Sequence, residues 1–249
     1  MTKHGIHFYE KFFSTPYPFD KFDQVFCPDY CAGAMENVGL VTYNDNYITR
    51  GETFTRNKTE SIYNTILHEI SHMWFGNLVT MKWWDDLWLN ESFANVISYI
   101  CMDQAEGLED ITLAWNIFLM EQFWGLRTDA MDTSHPIATS CESTADAEDI
   151  FDGISYGKGA SWLKQMLFMY GYDTLKLGLK NYFGKYSFKN TELKDFVTEL
   201  ARAAKETGAV KDEQDMISWS ETWLKTPGCA DIKLSFESES GKITGAHVI

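Results

Sequence analysis

The chain has 249 residues and is 45% hydrophobic, which suits one large globular domain or two small ones and argues against disorder. Its net charge of −15 argues against binding to nucleic acid or anionic lipid and favours the approach of cationic ligands. Five cysteines without a C-x-x-C pair argue against a disulfide-built scaffold and a structural zinc ribbon.

A small sheet is expected over about residues 1–50. Between residues 22 and 47, β-branched and aromatic residues mix with Gly, Asn and Asp, which is typical of short strands joined by turns. From Thr59 the pattern changes, and apolar residues recur at helical spacing up to a stop at Gly76-Asn77. These apolar residues are Ile62, Ile66, Ile70 and Met73.

The rest of the chain is predicted to be mostly helical. An acidic, turn-rich stretch is expected over residues 141–157, and two short strands over residues 232–248. Helices are predicted over residues 90–103, 111–123 (separated by Gly107), 160–170, 175–183, 192–205 and 214–224. No repeat or linker interrupts the pattern, so we expect one α+β domain over residues 1–249, with its helical body at about 58–226.

No signal peptide and no apolar run of about 18 residues are found in the sequence. We therefore expect a soluble, cytoplasmic protein without a membrane span, or an excised fragment of a larger protein.

The predicted helix from Thr59 carries an H-E-x-x-H motif, formed by His68, Glu69 and His72. Histidines at i and i+4 lie on one helix face and can bind one metal ion, while Glu69 points about 100° away and can reach the attacking water. Alone, the motif also fits two ordinary histidines. Glu91 follows His72 after 18 intervening residues and adds a third ligand, which is the number that a catalytic zinc site takes from the protein.

This pattern resembles the catalytic, thermolysin-like domain of the aminopeptidase N and puromycin-sensitive aminopeptidase family of gluzincin metallopeptidases. The zinc-helix segment reads HEISHMWFGNLVTMKWWDDLWLNESFA, and G-A-M-E-N stands upstream of it at residues 33–37. Downstream, Tyr156 lies in a segment similar to the family's Y-x-K-G. The resemblance implies that the chain is a hydrolase of the metalloprotease class. It also implies a fold with a small amino-terminal sheet followed by a helical lobe.

The resemblance also implies roles for individual residues. One Zn²⁺ per chain is expected, held by His68, His72 and Glu91, with Glu69 as general base and Tyr156 stabilising the oxyanion. The G-A-M-E-N residues are expected to bind a peptide with a free amino terminus: Glu36 at the α-amino group, with Gly33, Ala34, Met35 and Asn37 beside the first residue.

Other readings stay open from the sequence. The chain could be a thermolysin-like endopeptidase, which needs no ammonium anchor, or a catalytically impaired peptide-binding module. The family's amino-terminal β domain and carboxy-terminal helical domain are not represented, so exposed apolar surface is expected where they would dock. No ligand role is expected for the side chains His4, His7, His135, His247, Cys27 and Cys31. Three tryptophans, at 83, 84 and 88, are expected in the core or a pocket wall, with Asp85 and Asp86 as caps.

Overall fold

A computed structural model describes residues 1–48, 55–104, 114–230 and 232–248. The fold is α+β and mostly helical. It opens with helix α1 (Thr2–Phe13) and a three-stranded sheet of β1 (Asp23–Cys27), β2 (Ala34–Met35) and β3 (Leu40–Asn44). In this sheet β3 is central, parallel to β1 and antiparallel to β2.

The sheet expected over residues 1–50 is confirmed for its strands but wrong for the first residues, which form α1. The buried residues of this segment are Gly5, Tyr9, Phe12 and Phe13, spaced at helical intervals along one face. Tyr9 and Phe13 pack on Trp74, and the Tyr9 hydroxyl donates to the Leu67 carbonyl. Packing of this aromatic face therefore makes the segment a helix.

Helix α2 (Arg56–Ser71) carries the H-E-x-x-H motif. It begins three residues before the predicted start because Thr55 caps it, accepting a hydrogen bond from the Lys58 amide. It also ends before Gly76, because residues 72–79 form successive turns in which the Asn77 amide donates to the His72 carbonyl. Strand β4 (Val79–Met81) follows these turns.

Helix α3 (Leu87–Gln104) packs against α2 and is buried along almost its whole length. Of the three tryptophans expected in the core or a pocket wall, Trp88 is buried, while Trp83 and Trp84 are 49% and 39% exposed. Asp85 accepts a hydrogen bond from the Cys141 amide, and Asp86 accepts one from the Leu193 amide at the start of a later helix.

After α3, the predicted helices and the two terminal strands occur in the predicted order, whereas the short strand β5 (Lys189–Thr191) was not predicted. Gly107 and the start of the helix predicted at 111 lie outside the described residues. Helix α6 (Gly159–Tyr186) joins two predicted helices, with a break at Gly171, where φ is 81°. The stretch expected to be turns holds α5 (Thr144–Asp149), started by a Ser143–Asp146 capping box, and a turn of π-helix at Ile154–Lys158. The elements are α4 (Ala114–Asp129), α5 (Thr144–Asp149), α6 (Gly159–Tyr186), β5 (Lys189–Thr191), α7 (Leu193–Glu206), α8 (Glu213–Lys225), β6 (Leu234–Glu239) and β7 (Lys242–Val248).

The core lies between α2, α3, α6 and α7, where Phe75, Phe93 and Phe196 contact one another. Within the described ranges, no helix combines the length and the apolar character needed to cross a bilayer. The outer face of α4 exposes large apolar side chains, among them Met120 and Phe123. Exposed apolar surface is thus present, and its role in domain docking stays a prediction.

Candidate active site

The two motif histidines meet at the end of α2. His68 and His72 are one helical turn apart, and their Nε2 atoms lie 3.0 Å from each other. The ring of His72 is buried, whereas His68 is partly exposed. The i and i+4 spacing therefore directs two imidazole nitrogens to one point, as expected for a helix.

Glu91 joins the histidines from the first turns of α3. Its Oε2 lies 3.2 Å from Nε2 of His68 and 3.6 Å from Nε2 of His72. An ion held tetrahedrally at about 2.0–2.1 Å from each ligand separates those ligands by about 3.3 Å. Two imidazole nitrogens and one carboxylate oxygen at these separations fit a zinc ion in both donor type and spacing.

Asn90 orients one of these histidines and was missed by the sequence reasoning. Its Oδ1 lies 3.0 Å from Nδ1 of His72, which also faces the Phe75 carbonyl at 3.1 Å. Because both neighbours are acceptors, Nδ1 carries a hydrogen, and in the neutral ring this leaves the lone pair of Nε2 for a ligand role. The signal available in the sequence was an amide residue next to Glu91.

The close approach of the backbone at position 76 to Asn90 explains why this residue is a glycine. The glycine has φ of 125°, and a Cβ there would lie 2.5 Å from Asn90 Oδ1. Any other residue would be strained by the backbone angle and would displace the amide that orients His72.

Charge in this cluster is strongly coupled. Burial opposes ionisation of Glu91, but its two imidazole neighbours, His72 first, hold the pKa of Glu91 well below its usual range. Burial likewise disfavours a charged His72, yet the carboxylates of Glu36, Glu91 and Glu69 raise the pKa of His72 above its ordinary value. The site therefore has an anionic character that attracts cations.

The donor atoms of His68, His72 and Glu91 form a triangle, called the ligand triangle below, and Glu69 is not part of it. Its side chain is buried, and Oε2 makes no hydrogen bond with any described residue. Burial raises the pKa of Glu69 well above its ordinary value; His72 lowers it, and Glu36 and Glu91 raise it further. Glu36, Glu69 and His72 each offer a donor atom within 4.8 Å of the others. A carboxylate with a free oxygen beside the metal-capable cluster is suited to exchange a proton with water there.

Glu36 reaches the cluster from the small sheet. It follows β2, whose Ala34 and Met35 pair with Tyr43 and Thr42 of β3. The Glu36 backbone carbonyl accepts a hydrogen bond of 2.8 Å from the side chain of Asn77, another residue that the sequence reasoning missed.

The Glu36 carboxylate is held beside the histidines. Its Oε1 lies 3.5 Å from Asn90 Nδ2 and 4.0 Å from His72 Nδ1. Asn90 therefore touches both a histidine of the ligand triangle and the G-A-M-E-N glutamate.

The other G-A-M-E-N residues lie along the strand edge. The Gly33 carbonyl accepts from the Asn44 amide, and Asn37 Nδ2 donates to Thr42 Oγ1 at 3.2 Å. Met35 is 43% exposed. Asn37 thus braces the sheet, and the contribution of Gly33, Ala34, Met35 and Asn37 to substrate binding stays a prediction.

Tyr156 reaches the cluster from the π-helical turn. Its ring lies parallel to His68 at 6.2 Å and to Trp124 at 5.8 Å, with interplanar angles of 18° and 28°. Burial first, and then the charge of Glu91, raise the pKa of Tyr156 far above its ordinary value, so the phenol is a hydrogen-bond donor at neutral pH.

The backbone around Tyr156 packs tightly on α3 and α4. Ser92 donates to the Ser155 carbonyl, and Asn95 Nδ2 lies 3.3 Å from the Tyr156 carbonyl. A Cβ on Gly157 would lie 2.2 Å from the Glu121 carbonyl of α4. Glycine at this position therefore permits backbone-to-backbone contact beside the tyrosine.

The predicted site residues His68, Glu69, His72, Glu91, Glu36 and Tyr156 thus lie together. In the described part of the chain, two groups of side chains have metal-capable spacing, and both are in this cluster. Of the other histidines, His135 pairs instead with Asp152, and His247 lies near Glu237 in the exposed terminal hairpin.

Comparison with known proteins agrees with this geometry. Residues 1–225 match the Peptidase family M1 domain. The chain is 39% identical over 254 residues to Aminopeptidase N of Streptomyces lividans, an alignment that covers 100% of this chain and 28% of the relative. It is 38% identical over 246 residues to Aminopeptidase N of Lactobacillus helveticus, covering 98% of this chain and 28% of the relative.

A relative from an animal matches at the same level. Aminopeptidase Ey of Gallus gallus is 40% identical over 202 residues, covering 80% of this chain and 21% of the relative. The chain therefore spans between 21% and 28% of the length of these three relatives. Because the family match extends over most of the sequence, the chain belongs to peptidase family M1.

Proposed function

We propose that the protein carrying this chain is a zinc aminopeptidase that removes the first residue of peptides. The observation that carries the proposal is the Glu36 carboxylate, held 4.0 Å from His72 beside the ligand triangle. The matched relatives are named Aminopeptidase N and Aminopeptidase Ey, which supports the same activity.

Glu36 is the proposed anchor for the substrate's ammonium group. An ammonium ion that leaves water needs a carboxylate partner, and charge-assisted hydrogen bonds to carboxylates are the strong ones. Since Glu36 lies so close to the reacting centre, an amino group bound there leaves space for one residue before the scissile bond. The net charge of −15 also favours the approach of a cationic peptide end.

The zinc ligands are His68, His72 and Glu91, a set of three as in catalytic rather than structural sites. An ion held by these three residues would supply Lewis-acid chemistry, polarising the scissile carbonyl and acidifying the attacking water. Asn90 keeps His72 in the tautomer that leaves Nε2 available.

The remaining chemistry belongs to this chain's own side chains. Glu69 accepts a proton from the attacking water while the water oxygen bonds to the carbonyl carbon. The Tyr156 hydroxyl donates to the developing oxyanion. Glu69 then passes its proton to the leaving amine as the C–N bond breaks, and the products are a free amino acid and a peptide shortened by one residue.

The assignment is tested by comparing leucine p-nitroanilide with the same substrate blocked at its amino group, together with a zinc analysis. We expect stoichiometric zinc and cleavage of the free-amino substrate only. Equal cleavage of both would instead support the endopeptidase reading. Glu69→Gln should retain zinc and lose turnover, and Glu206→Gln, at an exposed position on α7, should change neither.

A further inference from the structure

The turn that carries Tyr156 is capped by Asp152. One carboxylate oxygen, Oδ1, accepts hydrogen bonds from the amides of Ile154 at 2.9 Å and Ser155 at 3.1 Å. The Asp152 backbone carbonyl accepts from the Tyr156 amide at 3.0 Å. The orientation of this carboxylate therefore sets the start of the π-helical turn and the place of the tyrosine.

His135 holds the second oxygen of the same carboxylate. Its Nε2 lies 3.2 Å from Asp152 Oδ2, and its Nδ1 lies 2.7 Å from the Pro136 carbonyl. Both neighbours are acceptors, and a neutral imidazole has only one hydrogen to donate. Only the imidazolium satisfies both contacts.

The pKa values agree with this geometry. The hydrogen bond to Asp152 raises the pKa of His135 above its ordinary value, although burial opposes it. Burial opposes ionisation of Asp152, but the hydrogen bonds from His135 and the Ser155 amide lower the pKa of Asp152. The two shifts, upward for His135 and downward for Asp152, both favour the ion pair, and both side chains are mostly buried.

Two charged groups face His135, Asp152 at the start of the turn and Lys158 at its end. Lys158 forms its own ion pair of 3.0 Å with Asp129 of α4. Ser134, next to His135, donates to that aspartate at 2.7 Å. Among these groups, only a histidine changes charge between about pH 6 and pH 8.

We propose that His135, as its imidazolium, is a positioning residue for Tyr156, acting through Asp152. The inference rests on the proposed role of Tyr156 at the oxyanion. When His135 loses its proton, it loses one of its two hydrogen bonds and the positive charge that faces Asp152, so the carboxylate is held less firmly in its capping orientation. Because the tyrosine acts in the transition state, kcat falls and KM does not change.

The test compares His135→Gln, Tyr156→Phe and the double variant in the full-length, zinc-loaded protein. We measure kcat and KM for leucine p-nitroanilide between about pH 5.5 and about pH 8.5. At the acidic end we expect His135→Gln to lower kcat about tenfold with KM unchanged, the scale of a small misplacement. The ratio of wild-type to variant kcat should approach one as the pH rises. In the Tyr156→Phe background the same change should have less than about a twofold effect.

His7→Gln is the matched control, because His7 is exposed on α1, and it should leave kcat unchanged at every pH. A kcat ratio that does not vary with pH would overturn the proposal, and so would an equal loss in the Tyr156→Phe background. If Tyr156→Phe alone leaves kcat unchanged, the oxyanion role itself fails, and that single variant shows it.

A second variant keeps the test valid if His135→Gln does not fold. Asp152→Asn retains an oxygen to accept from the two amides but removes the charge that His135 faces. We expect it to lower kcat and to move the NMR titration midpoint of His135 to lower pH. An unmoved midpoint would show that the two side chains are not coupled, and the proposal would be abandoned.

Discussion

The contact between Gly157 and α4 allows a sharp test of how Tyr156 is held. In Gly157→Ala, the new Cβ would lie 2.2 Å from the Glu121 carbonyl, 3.0 Å from the Gly125 amide nitrogen and 3.1 Å from the Glu121 carbonyl carbon. All three atoms belong to the backbone, so the turn and α4 must separate by about 1 Å to reach an ordinary contact.

The free energy of this change can be estimated from packing. Overfilled sites lose about 1–3 kcal/mol of stability, and alanine recovers about 0.5–1 kcal/mol because it restricts the unfolded chain more than glycine does. We expect a net loss of about 1–2 kcal/mol. Since the displaced turn carries Tyr156, a shift of about 1 Å is also expected to lower kcat, by up to about 100-fold.

Gly184→Ala is the matched control. Gly184 lies inside α6, is exposed, and has no described atom within 4 Å of the position of a Cβ. Because alanine is preferred over glycine inside a helix, this variant should have a free energy of unfolding about 0.5–1 kcal/mol higher than the wild type. Urea unfolding of both variants, with kcat measured in parallel, is the assay. If Gly157→Ala proves as stable and as active as Gly184→Ala, the backbone contact does not position the tyrosine.

Three further outcomes are expected. Asn90→Ala should weaken zinc binding about tenfold, measured by competition with a chelator, because His72 loses one of its two acceptors; an unchanged affinity would contradict that role. Removing zinc with a chelator should lower the melting temperature, because a bound ion at 100 times its dissociation constant raises the free energy of unfolding by about 2.7 kcal/mol. In Glu91→Ala the chelator should leave the melting temperature unchanged. Because folding raises the pKa of His135, its ion pair stabilises the folded protein. This stabilisation is complete at pH values below the ordinary pKa of 6.5, and it is lost as the pH rises through the pKa of the folded state. His135→Gln should therefore destabilise the protein in urea at about pH 5.5 and much less at about pH 8.5, and an equal loss at both would refute the ion pair.

Local spacing was enough to predict the metal-capable cluster. His68 and His72 share a helix face because the α-helix has 3.6 residues per turn, a property that needs no tertiary contact. Glu91 was predicted from its fixed separation along the chain and its place at the start of a helix. The order of the longer helices also followed from periodicity, since each has its own helical repeat of apolar residues.

Tertiary packing determined two features of the secondary structure that the periodicity of apolar residues did not predict. Residues 2–13 form a helix because Tyr9 and Phe13 pack on Trp74, a partner some sixty residues away that no local pattern reveals. The α-helix of residues 56–71 stops early because the backbone of the next residues turns back on itself.

The side chains around the predicted ligands depend on tertiary structure in the same way. Asn90, Asn77 and the pair of His135 with Asp152 act through contacts between separate elements. Sequence therefore determined which residues could carry the chemistry, because ligand spacing on a helix is a local property. Only the folded chain decided how they are oriented, because each orienting hydrogen bond joins side chains or backbone groups that packing brings together.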